Sequence, residues 1–206
     1  MLITLEGIDG TGKSTLAAAL AGQLADLQPV FTREPGVTWV GEAVRRAIAE
    51  QTDPVTEALL FVADHAAHLA TVVRPALADG RLVISDRYTD SRYAYQQVTL
   101  EGIIEDPLVW LQSIHNGWTV VPDKTFLFIL PVDTALKRLS GKNGREHFER
   151  REILMKVQEN YLALARMDPS RFVIVDATKG QNEISGFVAD AIRLVVKQGR
   201  KRKKTR

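Results

Sequence analysis

The sequence predicts an α/β fold built on a parallel sheet. Five short apolar runs alternate with longer amphipathic stretches, the order expected of strands joined by helices. The runs are almost continuously apolar, as strands are when both faces of their sheet are covered. The first run also leads directly into a glycine-rich turn and then a helical pattern. A chain of 206 residues, 45% hydrophobic and 25% charged, suits one such domain.

The strand candidates are residues 2–6, 29–32, 81–86, 124–130 and 172–176. Between the first two, Leu16, Leu20 and Leu24 recur every four residues. Val40, Val44, Ala47 and Ile48 mark a second helix, and a third is predicted from about residue 55 to just before Pro75. Asp106 followed by Pro107 reads as an N-cap and first helical position. Later helices are predicted at about 134–139, 148–165 and 183–197. Residues 140–146, with two glycines and no apolar side chain, have the composition of a mobile loop.

Bulk properties exclude several classes. No apolar run approaches the roughly 20 residues of a membrane span, and the opening Met1-Leu2-Ile3-Thr4-Leu5 lacks the basic region and cleavage site of a secretory signal. The absence of Cys rules out disulfides and thiolate-held metals and is compatible with the cytoplasm. Net charge is +2, but residues 199–206 carry six positive charges. Without them 21 basic residues face 25 acidic ones, so the body is mildly acidic. The basic end is expected to be a disordered, solvated tail beyond a single domain at 1–198, and nucleic acid is not an expected partner.

Gly7-Ile8-Asp9-Gly10-Thr11-Gly12-Lys13-Ser14 matches the phosphate-binding pattern G-x-x-x-x-G-K-[ST], between a strand and a helix as that motif requires. Gly7, Gly10 and Gly12 let successive backbone N–H groups turn inward toward phosphate oxygens. The helix start adds its partial positive charge. Gly7, Gly10, Thr11, Gly12, Lys13, Ser14 and Thr15 are therefore the candidate ATP-phosphate set, with the Lys13 ammonium on the terminal phosphates. Asp86 closes a buried strand at the carboxyl edge of the sheet, where ligands of such folds bind. Ser14 and Asp86 are the candidate Mg2+ ligands. Arg87 follows with a planar fork suited to phosphoryl oxygens.

Beyond the loop, the chain resembles the thymidylate kinase family over nearly its full length. The resemblance is carried by Leu5-Glu6-Gly7-Ile8-Asp9-Gly10, Thr32-Arg33-Glu34-Pro35-Gly36, and Asp86-Arg87-Tyr88 with Ser91 and Ala94-Tyr95-Gln96. Val121-Pro122-Asp123 and 161–165 add to it. It implies a five-stranded parallel sheet of the P-loop nucleoside-monophosphate kinase type, a short helical lid at about 140–150, a homodimer, and transfer of the ATP γ-phosphoryl group to dTMP. It also implies roles. Asp9 faces the acceptor sugar and phosphate, Arg33 contacts the acceptor phosphate, Phe61 stacks on the base, and Tyr95 crowds the sugar 2′ position beside Ser91. Arg138 stacks on adenine. Since position 10 is Gly, the catalytic cation is expected from the lid, where Lys142, Arg145, Arg150 and Arg151 are available and Arg145 is the first candidate. Catalysis would thus rest on Lys13, Asp86, Arg87, Arg145 and Asp9.

The match departs at three points. His65 stands where relatives commonly place an arginine that reads the pyrimidine edge, and an imidazole has no bidentate fork. Arg74 or Arg92 is the expected substitute. Val37 replaces a usual glycine, and Ile129 a frequent carboxylate. These changes bear on base preference, so a kinase of another pyrimidine deoxynucleotide is the nearest alternative reading. A nucleic-acid-associated P-loop ATPase using the basic tail is the more distant one.

Overall fold

The computed structural model describes residues 1–140 and 147–204. Its five strands are β1 (Leu2–Glu6), β2 (Val30–Arg33), β3 (Val83–Asp86), β4 (Lys124–Ile129) and β5 (Phe172–Asp176). All pair in parallel, in the order β2-β3-β1-β4-β5. Each predicted run holds a strand, with ends shifted by up to two residues. β1 is wholly buried, because helices cover both faces of the sheet.

The helices are α1 (Lys13–Gln23), α2 (Trp39–Glu50), α3 (Pro54–His68), α4 (Arg74–Ala78), α5 (Thr89–Thr99), α6 (Pro107–His115), α7 (Val132–Leu139), α8 (Arg151–Met167) and α9 (Gln181–Lys204). Asp106 caps α6 by accepting from the Val109 N–H at 3.1 Å. The third predicted helix does not end before Pro75. One π-helical turn, Leu69–Val73, passes α3 into α4, and Pro75 sits in the first turn of α4, where its missing N–H costs little. The backbone expected to fray from residue 199 is helical as far as Lys204.

The main core gathers Ile3, Leu5, Leu16, Leu20, Phe126 and Phe128 with Tyr161, Leu164 and Ile192 from α8 and α9. A smaller cluster under α4 holds Leu2, Leu69, Val83 and Tyr88. Among the described residues no helix is long and apolar enough to cross a membrane. The register aligns Leu5 with Asp86 and Arg33 with Asp86, so the ends of β1, β2 and β3 finish level and form one rim.

Candidate active site

A cleft of about 790 Å³ opens above the carboxyl ends of the strands. The loop from Gly7 to Gly12 forms its floor. Gly7 has φ 136° and Gly10 φ 83°, and a Cβ on either would come within 2.6 Å of a backbone oxygen, of Phe128 or of Ala135. Both the conformation and the space therefore demand glycine. Lys13 folds back under this loop, its ammonium donating to Gly7 O and Ile8 O at 2.9 Å and to Thr11 Oγ1 at 3.2 Å. Burial, with the nearby Arg87 charge, pulls Lys13 down to about 8, against the carboxylates of Asp9, Asp86 and Glu6.

Ser14 Oγ donates to Asp86 Oδ2 at 2.8 Å. The other carboxylate oxygen, Oδ1, is buried without a hydrogen-bond partner. This is an all-oxygen pair suited to a hard cation such as Mg2+. Among the described residues no cluster of three or more His, Asp or Glu could cage a metal by itself. A cation held here must draw its remaining oxygens from a nucleotide and water, which is how Mg2+ is usually bound.

A second group of side chains is organised around Arg87, a non-glycine residue at φ 68°, which swings its side chain back over the loop. Its Nη2 donates to Asp9 Oδ1 and to Tyr95 Oη, the latter at 3.2 Å. Nη1 reaches Ser91 Oγ at 3.1 Å and Gly7 O at 3.3 Å. Tyr95 donates to Asp9 Oδ2 at 2.7 Å and lies 4.9 Å beneath the guanidinium, in cation–π range. Burial alone would raise Asp9, but the Arg87 and Lys13 charges outweigh it and hold the carboxyl below its usual range. A negative side chain inside an anion cradle is thus neutralised by a partner.

Phe61 on α3 and Arg33 at the end of β2 line the same cleft, as do Ser91, Arg92, Tyr95 and Arg138. Arg138 is held between Gly10 O and Ala177 O, both at 3.4 Å. Two expected residues do not line the cleft. His65 is fully buried below the wall, joined to Glu34 at 2.8 Å and Thr119 at 2.7 Å. Arg74 turns outward to the Trp118 carbonyl. Arg145, and Lys142 with it, falls outside the described residues, as does most of the expected lid. Arg151 forms an exposed pair with Asp133 at 2.8 Å.

Arg92 lines the cleft, which His65 does not. It is buried against the cleft, its Nη1 on Glu34 Oε2 and its Nε donating to His115 Nε2 at 3.2 Å. His65 and His68 also converge on Glu34, on Oε1, at 2.8 and 2.6 Å. Because His115 Nε2 accepts while Nδ1 faces Leu111 O at 2.7 Å, its proton sits on Nδ1. Arg92 Nη2 is left without a partner, and so is Nε2 of Gln96, one turn along α5 and also lining the cleft. Sequence reading missed Glu34 and Gln96 as site residues, although both lie inside the quoted motifs. It missed Phe148, whose ring meets Tyr95 edge-on at 5.4 Å, because nothing in an isolated aromatic marks it as a wall.

Comparison with known proteins agrees with this geometry. The thymidylate kinase family model matches residues 5–188. A probable thymidylate kinase of Methanoculleus marisnigri is 62% identical over 98% of each chain, and one of Methanospirillum hungatei 57% identical over 99% of each. A third, from Natronomonas pharaonis, is 47% identical over 89% of this chain and 93% of its own. With the loop, the rim carboxylate of Asp86 and Arg87 in one cleft, and with this match over most of its length, the chain belongs to the thymidylate kinase family.

Proposed function

We propose that the protein transfers the γ-phosphoryl group of ATP to the 5′-phosphate of dTMP, giving dTDP and ADP. One observation carries this reading. The phosphate-loop residues line a single cleft together with Arg33, Phe61, Arg87, Arg92 and Tyr95, which leaves room for an acceptor as well as a triphosphate. A hydrolase needs room only for the triphosphate.

The donor phosphates would lie on the N–H groups of the loop and the N-terminus of α1, with Lys13 turning from its carbonyl contacts to the β and γ phosphates. Ser14 and Asp86 would hold Mg2+, which supplies charge neutralisation on the phosphate oxygens when bound. Arg87 would release part of its internal bonding to clasp the acceptor phosphate, joined by Arg33 from β2. An oxygen of the dTMP phosphate attacks the γ phosphorus in line as the bond to the bridging oxygen of ADP breaks, so no enzyme-bound intermediate forms. Tyr95, over Asp9, occupies the space a ribose 2′-hydroxyl would need. Arg138 flanks the adenine, and a cation from the segment around Arg145 would complete the charge on the moving group.

The base is read by Phe61, on which it stacks, and by α5. Unpartnered Arg92 Nη2 suits a carbonyl oxygen of thymine, and the Gln96 amide suits the neighbouring ring edge. His65 contributes through Glu34, which fixes Arg92, and Arg74 through the Trp118 segment behind it. Cytosine would present an amino group to an arginine, two donors facing one another. The exposed apolar side chains Leu59, Ile103 and Val109 support pairing into a homodimer, and the proposed site of action is the cytoplasm, where nucleotide substrates are held.

A coupled ADP-release assay across dTMP, dUMP, dCMP, dGMP and UMP tests the reading. We expect dTMP to be best, dUMP next, and UMP and dCMP poor. A panel in which dTMP is not among the best acceptors defeats it.

A further inference from the structure

At the end of β1, Glu6 is fully buried beside Arg87 and has no part in the phosphoryl transfer described above. Its Oε1 accepts from the Tyr88 N–H at 2.8 Å. Its Oε2 lies 2.6 Å from Ser91 Oγ and 3.0 Å from Tyr161 Oη, and those two hydroxyls are 2.8 Å apart. Three oxygens thus touch pairwise, which gives three contacts. Two hydroxyl hydrogens fill only two of them, and with Glu6 ionised the third, between Ser91 and Tyr161, is bridged only from the side by Arg87 Nη1, at 3.1 and 3.4 Å. One more hydrogen, on the carboxyl, completes a ring in which each oxygen donates once and accepts once.

We propose that Glu6 is a positioning residue that carries this proton in the substrate-free protein and, through Ser91 and Tyr161, holds Arg87 ready for the acceptor phosphate. The inference rests on the proposed function for its consequence, although not for the proton itself.

The surroundings favour the neutral form. Burial and then the Asp90 carboxylate on α5 raise Glu6 to about 8, against opposing effects of Ser91, Arg87 and Tyr161. Asp90 is itself clasped by Arg171 at 2.6 and 3.0 Å. Lys13 faces the site from the loop, Arg87 from the β3–α5 junction, and Tyr161 from α8 with Tyr95 edge-on to it at 6.2 Å. Burial pushes the Tyr161 phenol well up, so it stays a donor. Arg87 Nη1 reaches the ring from outside, at 3.1 Å to Ser91 Oγ and 3.4 Å to Tyr161 Oη. Asp9 already takes one charge's worth of this guanidinium. A neutral Glu6 spares the rest for the phosphate, and an ionised one would set a second carboxylate against it.

The test titrates the full-length chain, labelled with carboxyl-¹³C glutamate, by NMR from pH 5 to 10. One glutamate signal should move near pH 8 and be missing from Glu6→Gln. In parallel, dTMP affinity without ATP is measured by calorimetry. Wild type should lose up to about tenfold per pH unit above pH 8, and Glu6→Gln, which fixes the neutral form, should lose less; any loss left in the variant belongs to Lys13. The proposal is overturned if no glutamate titrates above pH 7, or if both proteins lose affinity in parallel. Should Glu6→Gln not fold, the wild-type titration alone decides. A signal near pH 8 in a chain that makes no dTDP would sink the kinase reading and leave the proton standing.

Discussion

Arg87 and Arg92 stand five residues apart and do opposite things with their donors. Arg87 spreads both terminal nitrogens over Asp9, Tyr95, Ser91 and Gly7, while Arg92 spends one on Glu34 and leaves the other open. A charged hydrogen bond in a buried site is worth about 1.5–3 kcal/mol, or roughly 10- to 150-fold. Arg92→Met should therefore lower kcat/KM for dTMP by about that factor and shrink the preference over dCMP, measured in the acceptor assay. Arg92→Lys should not restore it, because an ammonium cannot hold Glu34 and reach the base together. The sequence singled out Arg92 as one of two substitutes for the arginine missing at 65. Choosing between it and Arg74 needed the fold: a helix face decides which of them meets the cleft.

The elements differ in how plainly their sequences announce them. The strands and α9 declare themselves because their buried faces are apolar. α5 carries little periodic signal, since most of what it buries is polar: Thr89, Asp90, Ser91, Arg92 and Gln96, beside Ala94 and Tyr95. Ser91, Arg92, Tyr95 and Gln96 on its inward face line the cleft, and hydrophobic periodicity is blind to such a helix. α3 and α6 press His65 and His115 against that face, with rings 5.5 Å apart. Burial, then the Arg92 charge, lowers both to about 4. An unfolded chain would bind protons at these histidines near pH 6.5, whereas the folded one cannot until about pH 4. Stability is therefore intact above pH 6.5 and falls as pH drops from 6.5 toward 4, by on the order of a few kcal/mol. Thermal denaturation across that range should show Tm falling steadily. His115→Gln, if it folds, should flatten the slope, and a Tm constant between pH 6.5 and 4.5 would contradict the assignment.

At the scale of the molecule, the parallel order of the five strands brings residues from 9 to 138 to one rim, which short motifs alone could not have shown. The distribution of charge matters as well. The body is acidic apart from residues 199–206, which carry six positive charges. Deleting those eight residues should leave dTMP turnover within about twofold, since Gly199, where they begin, lies beside Met1 at the end of β1 opposite the rim. DNA- or RNA-stimulated ATP hydrolysis that disappears with the tail would instead favour an ATPase. The proposed activity depends on a grip on triphosphate that delivers its last phosphoryl group to a nucleotide and not to water. The most direct measurement follows the label from [γ-³²P]ATP in the presence of dTMP, for the wild type and for Lys13→Ala. We predict label in dTDP with the wild type and a loss of about 10³-fold with the variant. Label appearing in inorganic phosphate alone, or dTDP formed equally well without Lys13, would contradict it.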